Sequence, residues 1–560
     1  MFTSLLLPCF FLLFLLLLFH NKFLENHQES PRIIHAYEHV QVAESACDGT
    51  LYPDLCVSTV SAVLPELRRK TLPEIIAATI NVTMKEVRTA SSNCSSLRRK
   101  LNKKLEPLEL RALEDCLELF SYTASDLSKI FSDLKASSAQ EKYYDDLRTL
   151  LSAAMTNQYT CLDGFAYSKN NTREIIQGRL KRISHHASNA LAMVRKLKRR
   201  SRKLIEEDSP VVARMRRDGF PAWMKKSDRR FLQSAANSTN STSYDLIVAQ
   251  DGSGNFSTIN DALNAAPNNS NTRFVIYIKS GAYYEYVDIP RSKTLISFVG
   301  DGIGKTLIKG NRSVIDGWTT FRSATVAVVG NGFIATGITI ENYAGAVKHQ
   351  AVALRSGADF SAFYRCSFVG YQDTLYVYSN RQFFRQCDIY GTVDFIFGNA
   401  AVVFQNCSLY ARRPLDNQQN IFTAQGREDP NQNTGISILN CKVAAAADLL
   451  PVVTQFQTYL GRPWKQYSRT VYLLSKIESV VDPKGWLEWN GTFALSTLYY
   501  GEYQNRGPGS NTSGRVNWPG YHVINSSAEA SQFTVENFIQ GSLWLPSSGL
   551  PFYLNLTATS

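Results

Sequence analysis

GYQDTLYVYSNRQFFRQCDIYGTVDFIFG, residues 370–398, decides how the rest of this 560-residue chain is read. It holds two aspartates, Asp373 and Asp394, each set among aromatic and β-branched residues and 21 residues apart. Asp394, in TVDFIF, reads as part of a strand, where an ionised carboxylate is costly unless something uses it. The interval recurs on either side: Cys366, Cys387 and Cys407 are spaced by 21 and 20 residues, and Gln350 precedes Gln372 by 22. A repeat of that length, built from short β runs and turns, points to a parallel β-helix. Its successive rungs stack ~4.8 Å apart, so residues one period apart become neighbours. Gln350, the Gln372-Asp373 pair and Asp394 are therefore expected in one column, with two carboxylates about one rung spacing (~5 Å) apart.

The same pattern extends in both directions from residue 244. YDLIVAQDGSGNFSTINDALNAA reads as a strand, a glycine-rich turn and a short helix starting near Thr258. FIATGITIEN, AFYRCSFVG, FFRQCDIYG, AVVFQNCSLY and GISILNCKV follow as short β runs, the last four with a cysteine at similar phase. Long helices between them are missing from the pattern, which excludes a doubly wound α/β sheet. GDGIGKT lacks the first glycine of a phosphate-binding loop, because Val299 stands there, and is read as a turn.

Upstream, residues 43–197 carry helical spacing: Ile76, Ile80, Met84 and Val87, then Leu110, Leu113, Leu117 and Phe120, then Leu147, Leu151, Ala154 and Met155. Pro73 and Pro107 fall where helices can begin. Cys47 and Cys56 bracket a loop that a disulfide closes easily, and Cys116 and Cys161 stand on separate predicted helices that a second one would staple. Residues 198–242 turn basic and then rich in Ser, Asn and Thr, as in an exposed linker, with Arg229-Arg230 placed as a processing site. Residues 1–24 contain an apolar run, Leu5–Phe19, too short for an ordinary span and read as a signal peptide or a retained signal anchor. Sequons at Asn81, Asn170, Asn237, Asn240, Asn490 and Asn525 agree with a secreted glycoprotein.

The net charge of +12 is unevenly divided. From residue 243 onward there are 24 Lys and Arg against 22 Asp and Glu, so the excess lies almost wholly in the first 242 residues. The basic run RKLKRRSRK at 195–203 has no interleaved aromatics, which argues against nucleic-acid binding.

Residues 43–200, with their cysteine spacing and flanking residues, resemble the plant invertase and pectin methylesterase inhibitor family, a disulfide-stapled four-helix bundle. From residue 243 to 560 the segments GNRSVIDGWTTF, HQAVALR, GYQDTLY, GTVDFIFG, LGRPWKQYSR and TLYYGEYQNRGPG resemble, in order, the plant pectin methylesterases. That second resemblance implies a right-handed parallel β-helix, preceded by an all-α pro-domain, that hydrolyses galacturonate methyl esters in pectin. It implies Asp394 as nucleophile, Asp373 as general acid and then base, Arg462 as the group orienting Asp394, and amide donors from Gln372 and Gln350. It further implies substrate contacts from Trp464 and Thr320, and a disulfide between Cys387 and Cys407. Cysteine spacing by itself leaves Cys387 free to pair with either Cys366 or Cys407. The chemistry agrees with the residues present: G-x-S-x-G is missing and histidine is scarce, so a carboxylate nucleophile replaces a Ser-His pair. Neither cofactor nor metal is expected.

Two other readings compete. Carboxylates ~5 Å apart also suit a retaining glycosidase. A non-catalytic binding protein would use the helical domain as its working part. The expected partners are pectin (homogalacturonan), an inhibitor within the chain or outside it, and a processing protease; the expected location is the extracellular cell wall.

Overall fold

The computed structural model describes residues 40–63, 70–101, 105–135, 143–166, 168, 171–197 and 244–557. The expected leader (1–24), the linker (198–242) and Arg229-Arg230 lie outside these residues.

The upstream half is helical. A short helix α1 (Pro53–Val63) leads into α2 (Leu72–Leu101), α3 (Pro107–Lys135), α4 (Tyr144–Asp163) and α5 (Thr172–Val194). The last four pack in a ring, α2 against α3 and α5, and α4 against α3 and α5, which makes a four-helix bundle. The apolar spacing explains the packing: Ile76, Ile80, Val87, Leu113, Leu147, Leu151 and Met155 are all buried. Pro73 and Pro107 occupy first-turn positions, where a missing N–H costs nothing. Disulfides join Cys47 to Cys56 and Cys116 to Cys161, the second tying α3 to α4.

The downstream half is a parallel β-helix. Three sheets of 11, 7 and 8 strands run its length among the described residues, and every strand pairing is parallel. A short helix α6 (Ile259–Ala265), capped by Thr258 accepting from the Asp261 N–H, closes one end. The interior is filled by stacked like residues. Phe363, Phe384 and Phe404 stack at centroid distances of 4.6 and 4.7 Å, one ring per rung. This core contains no residue of the helical half.

The cysteine column corrects one expectation. Cys366, Cys387, Cys407 and Cys441 are buried free thiols, so Cys387 and Cys407 are not joined. Each precedes an in-register strand residue (Ser367, Asp388, Ser408 and Lys442), so their Cβ atoms point the same way at rung spacing. That spacing of ~4.8 Å exceeds the 3.5–4.5 Å that a disulfide requires between Cβ atoms. The Cys387 and Cys441 thiols instead lie against the carbonyls of Phe363 and Phe404, both at 3.4 Å.

The seven-stranded sheet carries the groove. In chain order its strands are β1 (Val287–Ile289), β2 (Val326–Val328), β3 (Leu354–Ser356), β4 (Leu375–Val377), β5 (Ile396–Gly398), β6 (Asn420–Gln425) and β7 (Thr458–Gly461). Their register aligns Ala327, Arg355, Tyr376, Phe397 and Ala424 in one row across the sheet. The helical bundle lies on this row. Tyr378, Phe397 and Tyr376 share an apolar cluster with bundle residues. The ion pairs repeat one polarity, bundle acid to β-helix base: Asp126 meets Arg291 at 2.6 Å, Asp115 meets Arg322 at 2.5 Å, and Asp146 meets Arg381 at 2.6 Å.

Candidate active site

The two aspartates occupy equivalent places on adjacent rungs. Leu375 pairs with Ile396, which puts Asp373 opposite Asp394 two residues earlier, just ahead of β4 and β5. Asp394 thus lies in the turn before its strand rather than inside it. Both turns bring the aspartate to a left-handed backbone conformation, φ +62° at Asp373 and +51° at Asp394. Aspartate tolerates that region better than bulky residues do. The turn N–H of Asp373 donates to the Val393 carbonyl at 3.1 Å, tying one rung to the next.

Arg462, immediately after β7, grips Asp394 with both arms of its fork: Nε donates to Oδ1 at 2.8 Å and Nη2 to Oδ2 at 2.6 Å. Its guanidinium also stacks on Trp489, 4.4 Å from the ring centroid. Asp373 has no such clamp. Burial, and then the Asp394 charge beside it, hold its carboxyl well above the usual range, and the more distant Arg462 does not undo this. The pair is thereby asymmetric: one carboxylate is gripped by a guanidinium, and the other is pushed upward by burial and by its neighbour.

Both aspartates open into a cavity of about 390 Å³, whose walls also include Thr320, Gln350, Gln372, Arg462 and Trp464. All seven expected site residues therefore meet in one place. The expected column is inexact at one member: Ala351, and not Gln350, aligns with Gln372, its N–H donating to the Gln372 carbonyl at 3.2 Å. Gln350 reaches the cavity from one residue further back. Gln372 keeps a buried Oε1 with no protein partner. Trp464 lies over Gly426, where an added Cβ would come within 2.8 Å of its Cε3; glycine is what allows the indole to lie flat in the groove.

Further β-helix wall residues went unread as site residues in the sequence, among them Tyr376, Phe397 and Trp489. The first two had a signal, since an aromatic follows each aspartate by three residues. Trp489 had none. Another part of the wall comes from the bundle. Leu108, Thr160, Asp163, Gly164 and Ala166 close the cavity over the aspartates, and Asp163 binds Lys465 at 3.1 Å beside Trp464.

The geometry suits an acyl transfer: a carboxylate oriented by a guanidinium fork, a second carboxyl one rung away with a raised pKa, and amides facing the same space. Comparison with known proteins agrees. The family described as Pectinesterase matches residues 245–542, and the plant invertase/pectin methylesterase inhibitor family matches residues 41–193. A probable pectinesterase/pectinesterase inhibitor of Arabidopsis thaliana (number 39) is 52% identical over 497 residues, covering 87% of this chain and 90% of its own. Pectinesterase 3 of Citrus sinensis is 49% identical over 534 residues, covering 92% and 89%. The solved pectin methylesterase from carrot is 57% identical with a TM-score of 0.56, over 57% of this chain and 100% of its own. The carrot protein, over its whole length, matches a stretch the size of the β-helix half, whose inner core contains no bundle residue.

Proposed function

Because this chain belongs to the pectinesterase family and so removes methyl esters from pectin, we propose that Asp394 is the nucleophile of that reaction and Asp373 its proton donor. The observation that carries this assignment is the asymmetry of the pair: Arg462 grips Asp394 with two bonds, while Asp373 is buried without that grip and its carboxyl is pushed upward.

The Asp394 carboxylate attacks the ester carbonyl carbon of a galacturonate, and the carbonyl oxygen becomes an oxyanion. Amide N–H groups of Gln372 and Gln350 face that oxyanion, a role worth roughly 3 kcal/mol per donor in comparable sites. As the tetrahedral centre collapses, the bond to methoxide breaks and Asp373 delivers its proton, so methanol leaves. The sugar is now joined to Asp394 as an acyl anhydride. Asp373, now ionised, takes a proton from water, the hydroxide attacks the same carbon, and Asp394 departs as a carboxylate with the free acid of the sugar. Trp464 and Thr320 hold the polymer across the groove.

The bundle acts as an internal inhibitor, since five of its residues close the catalytic cavity. Cleavage at Arg229-Arg230 by a processing protease would release the β-helix into the cell wall, the expected site of action. Among the described residues no helix is long and apolar enough to cross a membrane.

Methanol release from highly methylated pectin tests the reading, comparing the full chain with residues 243–560. The shorter protein should be active, its Asp394→Asn variant inactive though folded, and the full chain markedly slower. Released reducing ends without methanol would reverse the assignment toward glycoside cleavage. Equal rates for the two lengths would remove the inhibitory role of the bundle.

A further inference from the structure

Away from the catalytic cavity, a second concave site lies at a corner of the β-helix. It forms just ahead of four neighbouring strands of the eleven-stranded sheet, Phe274–Ile278, Ile296–Gly300, Ile334–Thr336 and Ser361–Tyr364. Phe274 pairs with Ile296, Ser297 with Ile334, and Ile334 with Ala362, so Arg273, Leu295, Gly332 and Phe360 fall in one row. The helix Gly541–Ser548 faces this row, and the two enclose a cavity of about 370 Å³. None of the chemistry described above uses it.

Arg273 is the one charged residue among those lining the cavity. Its Nη1 donates to the Ser297 hydroxyl and to the Gly332 carbonyl, both at 2.9 Å, which fixes the guanidinium along the row. Its Nε and Nη2 have no protein partner among the described residues. Burial lowers its pKa to about 10, with no neighbouring acid to oppose the shift. Arg381 and Arg515, by contrast, are paired with Asp359 at 2.7 Å and Glu502 at 2.8 Å. A half-buried cation left without an acid, its fork open to a cavity, is arranged to receive a carboxylate from outside the chain.

The rest of the lining says what carries that carboxylate. Phe360 and Trp544 form an apolar floor, their ring centroids 5.5 Å apart. Trp544 is buried and its Nε1 donates to the Ile539 carbonyl at 2.8 Å, so the indole is anchored and offers only apolar surface. Asn269, Asn271, Asn331 and Ser547 bring amides and a hydroxyl to the rim. A fork for a carboxylate, fixed aromatic surface for C–H groups and a rim of amides together match an acidic sugar. The volume also suits a ligand of one or two rings, since small-molecule sites begin at about 300 Å³.

We propose that this cavity is a second binding site for pectin, separate from the catalytic groove, in which Arg273 takes the free carboxylate of a galacturonate and Trp544 and Phe360 carry its ring. This rests on pectin being the substrate. No bundle residue lines the cavity, so it is open while the bundle still covers the groove. The uncleaved chain thereby has a hold on the polymer before its reaction centre is uncovered.

The full chain is the protein to test, because the bundle closes its catalytic cavity. Calorimetric titration with fully de-esterified trigalacturonate should show binding, and fully methyl-esterified trigalacturonate should bind about tenfold more weakly, the size of one charge-assisted contact. Arg273→Gln should weaken trigalacturonate binding by about the same factor. Ser547→Glu, at an exposed helical position, leaves the bonds of Arg273 in place and puts a carboxylate into the cavity. It should weaken binding equally, and it carries the test if Arg273→Gln does not fold. Absence of binding, or binding that neither substitution changes, overturns the site. Acetate binding as tightly as trigalacturonate would reduce the cavity to a general anion pocket and overturn the sugar assignment. The methanol-release assay tests the reaction separately: binding lost in both variants without methanol release upholds the site and overturns the reaction, and methanol release with binding unchanged in both does the reverse.

Discussion

Replacing Arg462 by lysine separates charge from geometry at the reaction centre. Arginine holds Asp394 with two bonds, 2.8 Å from Nε and 2.6 Å from Nη2, and lays its plane on Trp489. Lysine keeps the positive charge but offers a single ammonium, which cannot bond both oxygens in one plane. At least one charge-assisted hydrogen bond is lost, about 1.5–3 kcal/mol for a group this buried. If that bond orients the nucleophile, the loss falls on the transition state, and kcat drops roughly 10- to 100-fold at ~1.4 kcal/mol per decade. The assay is methanol release by residues 243–560 at saturating, highly methylated pectin, with the melting temperature checked alongside. Because a positive charge is retained beside Asp394, a fall in kcat reports orientation. A kcat within about twofold of wild type would refute the reasoning, since it would mean the fork has no part in positioning Asp394.

Three further outcomes follow from the same geometry. Asp373 is held well above 3.8 by burial and by Asp394, so its proton is present below that raised value and lost as pH rises through it. The alkaline limb of kcat/KM should therefore lie well above the ordinary carboxylate range; a limb near 4 would dismiss Asp373 as the donor. Gly426→Ala places a methyl group against Trp464 and should raise KM several-fold with little change in kcat, and an unchanged KM would mean the indole does not need its present tilt. Docking of the bundle should weaken as pH rises from about 4.5 to about 6. Burial pushes Asp115 up to about 6 despite Arg322, and raises Asp126 and Glu428 as well, so the closed form binds more protons and loses stability as they leave. Glu118, lowered below 4.5, is ionised throughout that window and does not oppose the trend. The Asp115 contribution is at most about 3 kcal/mol, two decades of pKa shift. The ratio of full-chain to 243–560 activity should climb over this range, and a flat or falling ratio would reject the linkage.

Much of the β-helix could be read from one interval. A period of about 21 residues means rungs, and rungs put Asp373 opposite Asp394; the structure adds only that both lie in the turns before their strands. Periodicity could not supply Arg462, which lies 68 residues beyond Asp394 in sequence, and only its motif context placed it. The cysteines show the limit of spacing as a guide. The same intervals that stack four thiols also match the Cα separation of a disulfide, and the choice is made by Cβ direction, which an in-register parallel ladder fixes and a sequence does not display.

The bundle exposes a different blind spot. On α3 the apolar stripe through Leu113 and Phe120 is plain, and it is indeed core. Asp115, Glu118, Tyr122 and Asp126 form a second stripe at the same helical spacing, three, four and four residues apart. By ordinary expectation such a stripe faces water. Here Asp115 and Asp126 are buried against Arg322 and Arg291. Acidic residues buried on a helix are costly unless cations meet them, and the cations lie in the other half of the chain, beyond the reach of any local pattern. The uneven charge count was the nearest available hint, and it pointed the wrong way. The helical half and linker carry the positive excess, yet in the ion pairs across the contact the bundle supplies the acids and the β-helix the cations.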